Sequence, residues 1–197
     1  MKGVCRVLGL ALILPAALVP LPPAAETPPV ARSGIEQVLL VEHNAERARA
    51  GSGPLVWSDM LARDAAIWAK TLARTNRFEH APEGKKAQGE NLWMGTQGAY
   101  SPQEMVRLWI DEKSLYQPRR FPDVSTNGVW SDVGHYTQLI WHSTKEVGCA
   151  LASNAESDFL VCRYAPPGNW MGEFAVPSRP SRADQGAAAR GNRVNSE

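Results

Sequence analysis

Four histidines, His43, His80, His135 and His142, are the side chains of this chain best suited to moving protons or ligating metal near neutral pH. His80 and His135 lie in glycine-containing stretches that read as loops, and loops held by a rigid scaffold commonly carry functional groups. His43 falls inside a helical pattern and reads as a satisfied core histidine, while His142, between Trp141 and Ser143, reads as a solvent position. One carboxylate is oddly placed. Glu112 follows Leu108 and Trp109 and precedes Leu115 and Tyr116 by three or four residues each, so helical spacing sets it within an apolar stripe. Burying it alone would be costly, so it needs a partner from elsewhere in the chain, or it sits at the edge of the stripe and reaches water. Two imidazoles and two carboxylates together would suit a divalent metal.

The sulfur chemistry is simpler. Of three cysteines, Cys5 lies in a leader that reads as a secretory signal peptide, residues 1–25: Lys2 and Arg6 form a basic start, Val7 to Val19 an apolar core, and Ala24 and Ala25 a small-residue cleavage region. Pro15 and Pro20 interrupt the run, which is shorter than the roughly 20 apolar residues of a membrane span. Removing the leader leaves Cys149 and Cys162 as an isolated pair in an oxidising compartment, where a disulfide is expected.

Charge and composition exclude several classes. Net charge is 21 − 20 = +1, or 19 − 20 = −1 once Lys2 and Arg6 leave, which offers nothing to a nucleic-acid polyanion. Hydrophobic residues at 44% and charged residues at 21% belong to a globular chain. All seven tryptophans fall between Trp57 and Trp170, which argues for one core. The expected organisation is a signal peptide (1–25), a linker (26–34), a folded domain (35–176) and a tail (177–197) without large apolar residues other than Val194. Neither HExxH nor GxSxG occurs, so two common hydrolase signatures are absent.

The elements that must position these groups can be read locally. Ser33 with Glu36 predicts a capped helix running to Gly51, and Ser58 predicts the cap of a second helix with Leu61, Ala65, Trp68, Ala69 and Leu72 facing the core. His80 and the GENL segment are assigned to a long loop. Ser101, Pro102 and Glu104 open a third helix ending near Gln117 and Pro118. VGCALA and FLVCRYA predict an antiparallel hairpin, and a turn centred between Ala155 and Glu156 sets Cys149 opposite Cys162, since 149 + 162 = 155 + 156. The loop closed by that disulfide is 13 residues, worth roughly 3 kcal/mol in the chain-entropy account.

Two longer segments carry a family resemblance. GHYTQLIWHST (Gly134 to Thr144) resembles the first signature of the CAP superfamily, the cysteine-rich secretory, antigen 5 and pathogenesis-related 1 proteins, and FLVCRYAPPGNW (Phe159 to Trp170) resembles the second. HNAERARAGSGPLVWSDMLARDAAIWA resembles the family's amino-terminal helices, and HAPEGKKAQGENLWMG its His-to-GEN loop. The resemblance spans roughly His43 to Trp170 in consistent order.

That resemblance implies an α+β fold, a three-layer α/β/α sandwich around a small, mainly antiparallel sheet, with a central cleft of His80, Glu90, Glu112 and His135. It implies that His80 and His135 can hold zinc or another divalent ion with the carboxylates nearby. It also implies a module that binds sterol, fatty acid or another lipid without turnover, and with the signal peptide the expected protein is a secreted or periplasmic monomer. The alternatives are a metal-assisted hydrolase using Glu90 or Glu112 as base and an antimicrobial or surface-interaction protein. A serine sometimes proposed as part of a hydrolytic triad in the family is replaced here by Ala81. The segment Gln117 to Val133 is expected to supply an apolar ligand wall through Phe121 and Trp130, or else to be a structural lid.

Overall fold

The computed structural model describes residues 34–82 and 88–176. The signal peptide (1–25), nearly all of the linker (26–34), the tail (177–197) and the Ser33 cap lie outside the described residues.

Helix α1, Gly34–Ala50, stops at Gly51, whose φ of 85° a side chain would disfavour. Bonds from Ser52 N to Arg47 O (2.9 Å) and from Gly51 N to Ala48 O (3.3 Å) close the end in the manner of a Schellman motif. Strand β1, Val56–Trp57, leads into helix α2, Asp59–Thr75. Ser58 stands at the N-cap position, but its side chain makes no capping bond. Its backbone N–H instead donates to Val147 O at 2.8 Å, because the chain there is still engaged with the sheet. The apolar stripe of α2 is buried as the spacing predicts, except that Trp68 stays partly open.

The GENL segment is not loop but the start of strand β2, Gly89–Thr96. Helix α3, Pro102–Asp111, has the predicted capping box, with Glu104 N donating to Ser101 Oγ and Ser101 N to Glu104 Oε2. It ends six residues earlier than predicted, and a 3-10 turn follows over Glu112–Ser114. A second 3-10 turn, Trp130–Val133, feeds helix α4, Gly134–Ile140, so His135 stands in a helix's first turn and not in a loop. Strands β3, Glu146–Ser153, and β4, Ser157–Ala165, form the predicted hairpin in the predicted register, with Cys149 opposite Cys162 and the two joined as a disulfide.

The sheet order is β1-β3-β4-β2, with β1 parallel to β3 and the other pairs antiparallel. Alternation along the strands splits their side chains between two cores. Trp93, Leu160 and Tyr164 pack with residues of α1, α3 and α4, while Leu92, Phe159 and Val161 pack with α2. The result is a mixed α+β architecture with helices on both faces of a four-stranded sheet. Helix α2 lies so close to β3 that a Cβ on Gly148 would meet the backbone of Ser58 and Ala62. No helix among the described residues is long and apolar enough to cross a membrane.

Candidate functional site

The candidate groups gather at the beginning of β2, which forms one edge of the sheet. Glu90 and Asn91 are successive strand residues and therefore point to opposite faces. On the α2 face, Glu90 Oε1 accepts from His80 Nδ1 at 2.6 Å and from Ala81 N at 3.1 Å. Glu90 Oε2 lies 2.9 Å from Arg163 Nη2, an ion-pair contact whose angles fall short of a hydrogen bond. The segment carrying His80 is tied to α2 by Trp68 Nε1, which donates to Glu79 O at 3.1 Å. The Glu90 side chain is 7% exposed, whereas that of His80 is 68% exposed.

On the other face, Asn91 Nδ2 donates to His135 O at 3.0 Å and also contacts Tyr164 Oη at 3.2 Å. His135 Nδ1 lies 2.6 Å from Glu112 Oε1, and Glu112 Oε2 accepts from Tyr136 N at 3.0 Å. Glu112 thus satisfies one of the free N–H groups at the start of α4 while holding the imidazole beside it. The His135 ring also stacks on the Trp109 indole, with centroids 5.9 Å apart and planes inclined by 16°.

The structure therefore assembles His80 with Glu90 and His135 with Glu112, as two separate pairs. Among the described residues no group of three or more His, Cys, Asp or Glu side chains could hold a metal ion. In each pair Nδ1 is engaged by a carboxylate, and Nε2 makes no hydrogen bond within the described residues. Such a carboxylate–imidazole arrangement orients a ligand nitrogen outward.

The apolar segment divides in two. Phe121 is 5% exposed and lies in the main core, as does Val124, so these residues anchor the segment. Trp130 is 46% exposed, packs edge-on against Phe121 with centroids 5.2 Å apart, and presents its remaining surface with Val129. Backbone bonds from Phe121 N to Glu173 O and from Gly172 N to Phe121 O hold the segment down. A separate groove of about 390 Å³ lies between α1, α2 and β3, lined by Ile35, Ala62, Ala66 and Leu151 among others. It contains no imidazole and borders β3, two strands away from β2 in the sheet.

His43 is buried and satisfied at both nitrogens: Nδ1 lies 2.7 Å from Leu39 O, and Nε2 lies 2.8 Å from Tyr164 Oη. Burial, with Arg47 nearby adding to it against the opposing Leu39 bond, lowers its pKa to about 4. Burial also raises the Tyr164 hydroxyl pKa, so it remains a neutral donor. Sequence reasoning did not single out Asn91, Arg163 or Trp109. The GEN motif could have pointed to Asn91, but Arg163 acquires its role only through its place opposite Glu90 in the β2–β4 register.

Comparisons with known proteins agree with this architecture. The pathogenesis-related protein PR-1 of Medicago truncatula is 36% identical over 136 residues, covering 68% of this chain and 75% of the relative. Pathogenesis-related protein 1A of Nicotiana tabacum is 36% identical over 139 residues, covering 70% and 79% respectively. The crystal structure of NaASP2 with Zn²⁺ superposes with a TM-score of 0.62 at 22% identity, covering 79% of this chain and 92% of that one, which supports the fold. The model of the cysteine-rich secretory protein family, CAP, matches residues 40–164, and the chain belongs to that family.

Proposed function

We propose that this protein is a secreted, non-catalytic binding module whose two His–Glu pairs offer imidazole nitrogens to a divalent cation and whose Trp130 surface binds lipid. One observation carries the reading: three of the four carboxylate oxygens of Glu90 and Glu112 accept hydrogen bonds, and the fourth, Glu90 Oε2, is buried against the Arg163 guanidinium. His80, Ala81 and Arg163 occupy Glu90, while His135 and Tyr136 occupy Glu112. Among the described residues the Nε2 atoms of both imidazoles make no hydrogen bond, which leaves them as ligands or hydrogen-bonding groups. A general base must instead have an oxygen available for the proton it removes. Ala81 also stands where a hydroxyl nucleophile would be sought.

The donor chemistry suits an imidazole-preferring ion, with His80 and His135 as its holders. Two such donors are fewer than the three or four protein ligands of a strong zinc site, so the fit is to a weak site completed by water. The bound ion would supply a positive charge for an anionic headgroup or carboxylate. NaASP2, similar in fold, was crystallised with Zn²⁺. Export through the signal peptide, residues 1–25, and a folded domain over residues 35–176 belong to the same reading.

Calorimetric titration with Zn²⁺ tests the cation site. The wild-type protein is expected to bind, and a His80→Ala, His135→Ala double variant to lose most of that affinity; equal affinity in both would place the site elsewhere. Lipid binding is tested separately with oleate and cholesterol. Trp130→Ala is expected to weaken binding by about 2 kcal/mol, through lost burial of its exposed ring, while Glu90→Gln leaves it nearly intact. Loss of a hydrolytic rate in Glu90→Gln, with unchanged lipid binding in Trp130→Ala, would favour the metal-assisted hydrolase.

A further inference from the structure

We infer that Arg163 is a positioning residue for His80, acting through Glu90, an inference that rests on the two-pair cation site. Glu90 is a carboxylate with little access to water, and a buried charge needs a counter-charge as well as hydrogen bonds. The Nδ1–H form of His80, the one that leaves Nε2 free to ligate, and the Ala81 N–H donate to it without cancelling its charge. Arg163 supplies the cation. It sits directly opposite Glu90 in the β2–β4 register, is 14% exposed, and places Nη2 against Oε2. Its Nε is buried without a hydrogen-bond partner among the described residues, so Glu90 is the polar group on which this guanidinium is spent.

The geometric consequence falls on Oε1. With Oε2 drawn to the Arg163 guanidinium by charge, the carboxylate offers Oε1 to His80 Nδ1 and Ala81 N together. A proton kept on Nδ1 leaves the Nε2 lone pair facing outward, the form a cation requires. His80 has little else to orient it, since residues 77–82 form neither helix nor strand. His135 shares the carboxylate contact at Nδ1 but has further supports. It rides on α4, stacks on Trp109, and its Glu112 is fixed by Tyr136 N. Arg163 should therefore govern one imidazole and leave the other alone.

The test uses the full secreted chain, labelled with ¹⁵N at histidine, as wild type, Arg163→Met and Arg163→Lys. Nitrogen chemical shifts report the tautomer of each ring without metal, and Zn²⁺ titration reports affinity. Arg163→Met is expected to move His80 from the Nδ1–H form to a mixture, leave His135 unchanged, and weaken Zn²⁺ binding roughly tenfold or more. Arg163→Lys, which keeps the cation, should restore the His80 tautomer and most of the affinity. Arg163→Gln replaces the Met variant should that variant fold poorly. An unchanged His80 tautomer in Arg163→Met would overturn the inference, and so would equal disturbance of His80 and His135, which would mean general loosening. Absence of Zn²⁺ binding in the wild type would defeat the cation-site reading, while the tautomer comparison would still decide what Arg163 does.

Discussion

Replacing Arg47 with methionine is expected to lower the unfolding free energy by about 3 to 5 kcal/mol, the largest effect of any single substitution considered for this protein. Arg47 is wholly buried on α1, yet its guanidinium donates to four main-chain carbonyls: Gly53 and Thr144, and Leu139 and Trp141 at the end of α4. Carbonyls at a helix C-terminus have no partner within the helix and carry its negative dipole end, so a cation there answers both needs. Burial depresses the Arg47 pKa to about 10, which still leaves it charged at neutral pH. Methionine fills much of the volume but strands the four acceptors. Helix α4 has only seven residues and could not persist alone. It is held at one end by Glu112 and at the other by Arg47, so the loss should also loosen His135. Urea unfolding of wild type, Arg47→Met and Arg47→Lys would measure this, with the lysine variant falling between the others. A loss below 1 kcal/mol in the methionine variant would show that water or repacking replaces the guanidinium.

Acidification should destabilise the fold through His43. In the folded protein the neutral ring has both nitrogens satisfied, Nδ1–H donating to Leu39 O and Nε2 accepting from the Tyr164 hydroxyl. A second ring proton would face that hydroxyl inside a fully buried site. Because the folded pKa of about 4 lies below the ordinary 6.5, the unfolded chain takes up the proton first as pH falls. This contribution is complete above about pH 6.5, declines between about 6.5 and 4, and is constant below that. The loss across the window is up to about 3 kcal/mol. Denaturant unfolding at several pH values, in wild type and in His43→Gln, isolates the effect as the difference between the two slopes. Parallel slopes would show that His43 does not carry it.

What was legible in the sequence was local. The capping box at Ser101 and Glu104 is closed by residues three apart, and the apolar stripe of α2 needs only its own periodicity. The Cys149–Cys162 pairing follows from a turn placed between two short strands, because a tight hairpin sets its register by counting. Family motifs added the members of the two pairs, Glu90 among them, but not how they are arranged.

Tertiary structure decided the rest, where a residue's role depends on a partner distant in the chain. Strand β2 begins Gly-Glu-Asn, a poor strand signal, and exists because β4 lies alongside it some 70 residues later. The end of α3 cannot be read from periodicity, since the apolar spacing continues through Tyr116 while the backbone tightens into a 3-10 turn at Glu112, whose carboxylate meets His135 and Tyr136. Phe121 and Trp130 look equivalent in sequence, yet packing against Trp141 buries one and leaves the other at the surface. A pattern along the chain determines which face of an element is apolar; only the packed elements determine which buried charge meets which counter-charge, because desolvation makes an unpaired choice too costly to persist.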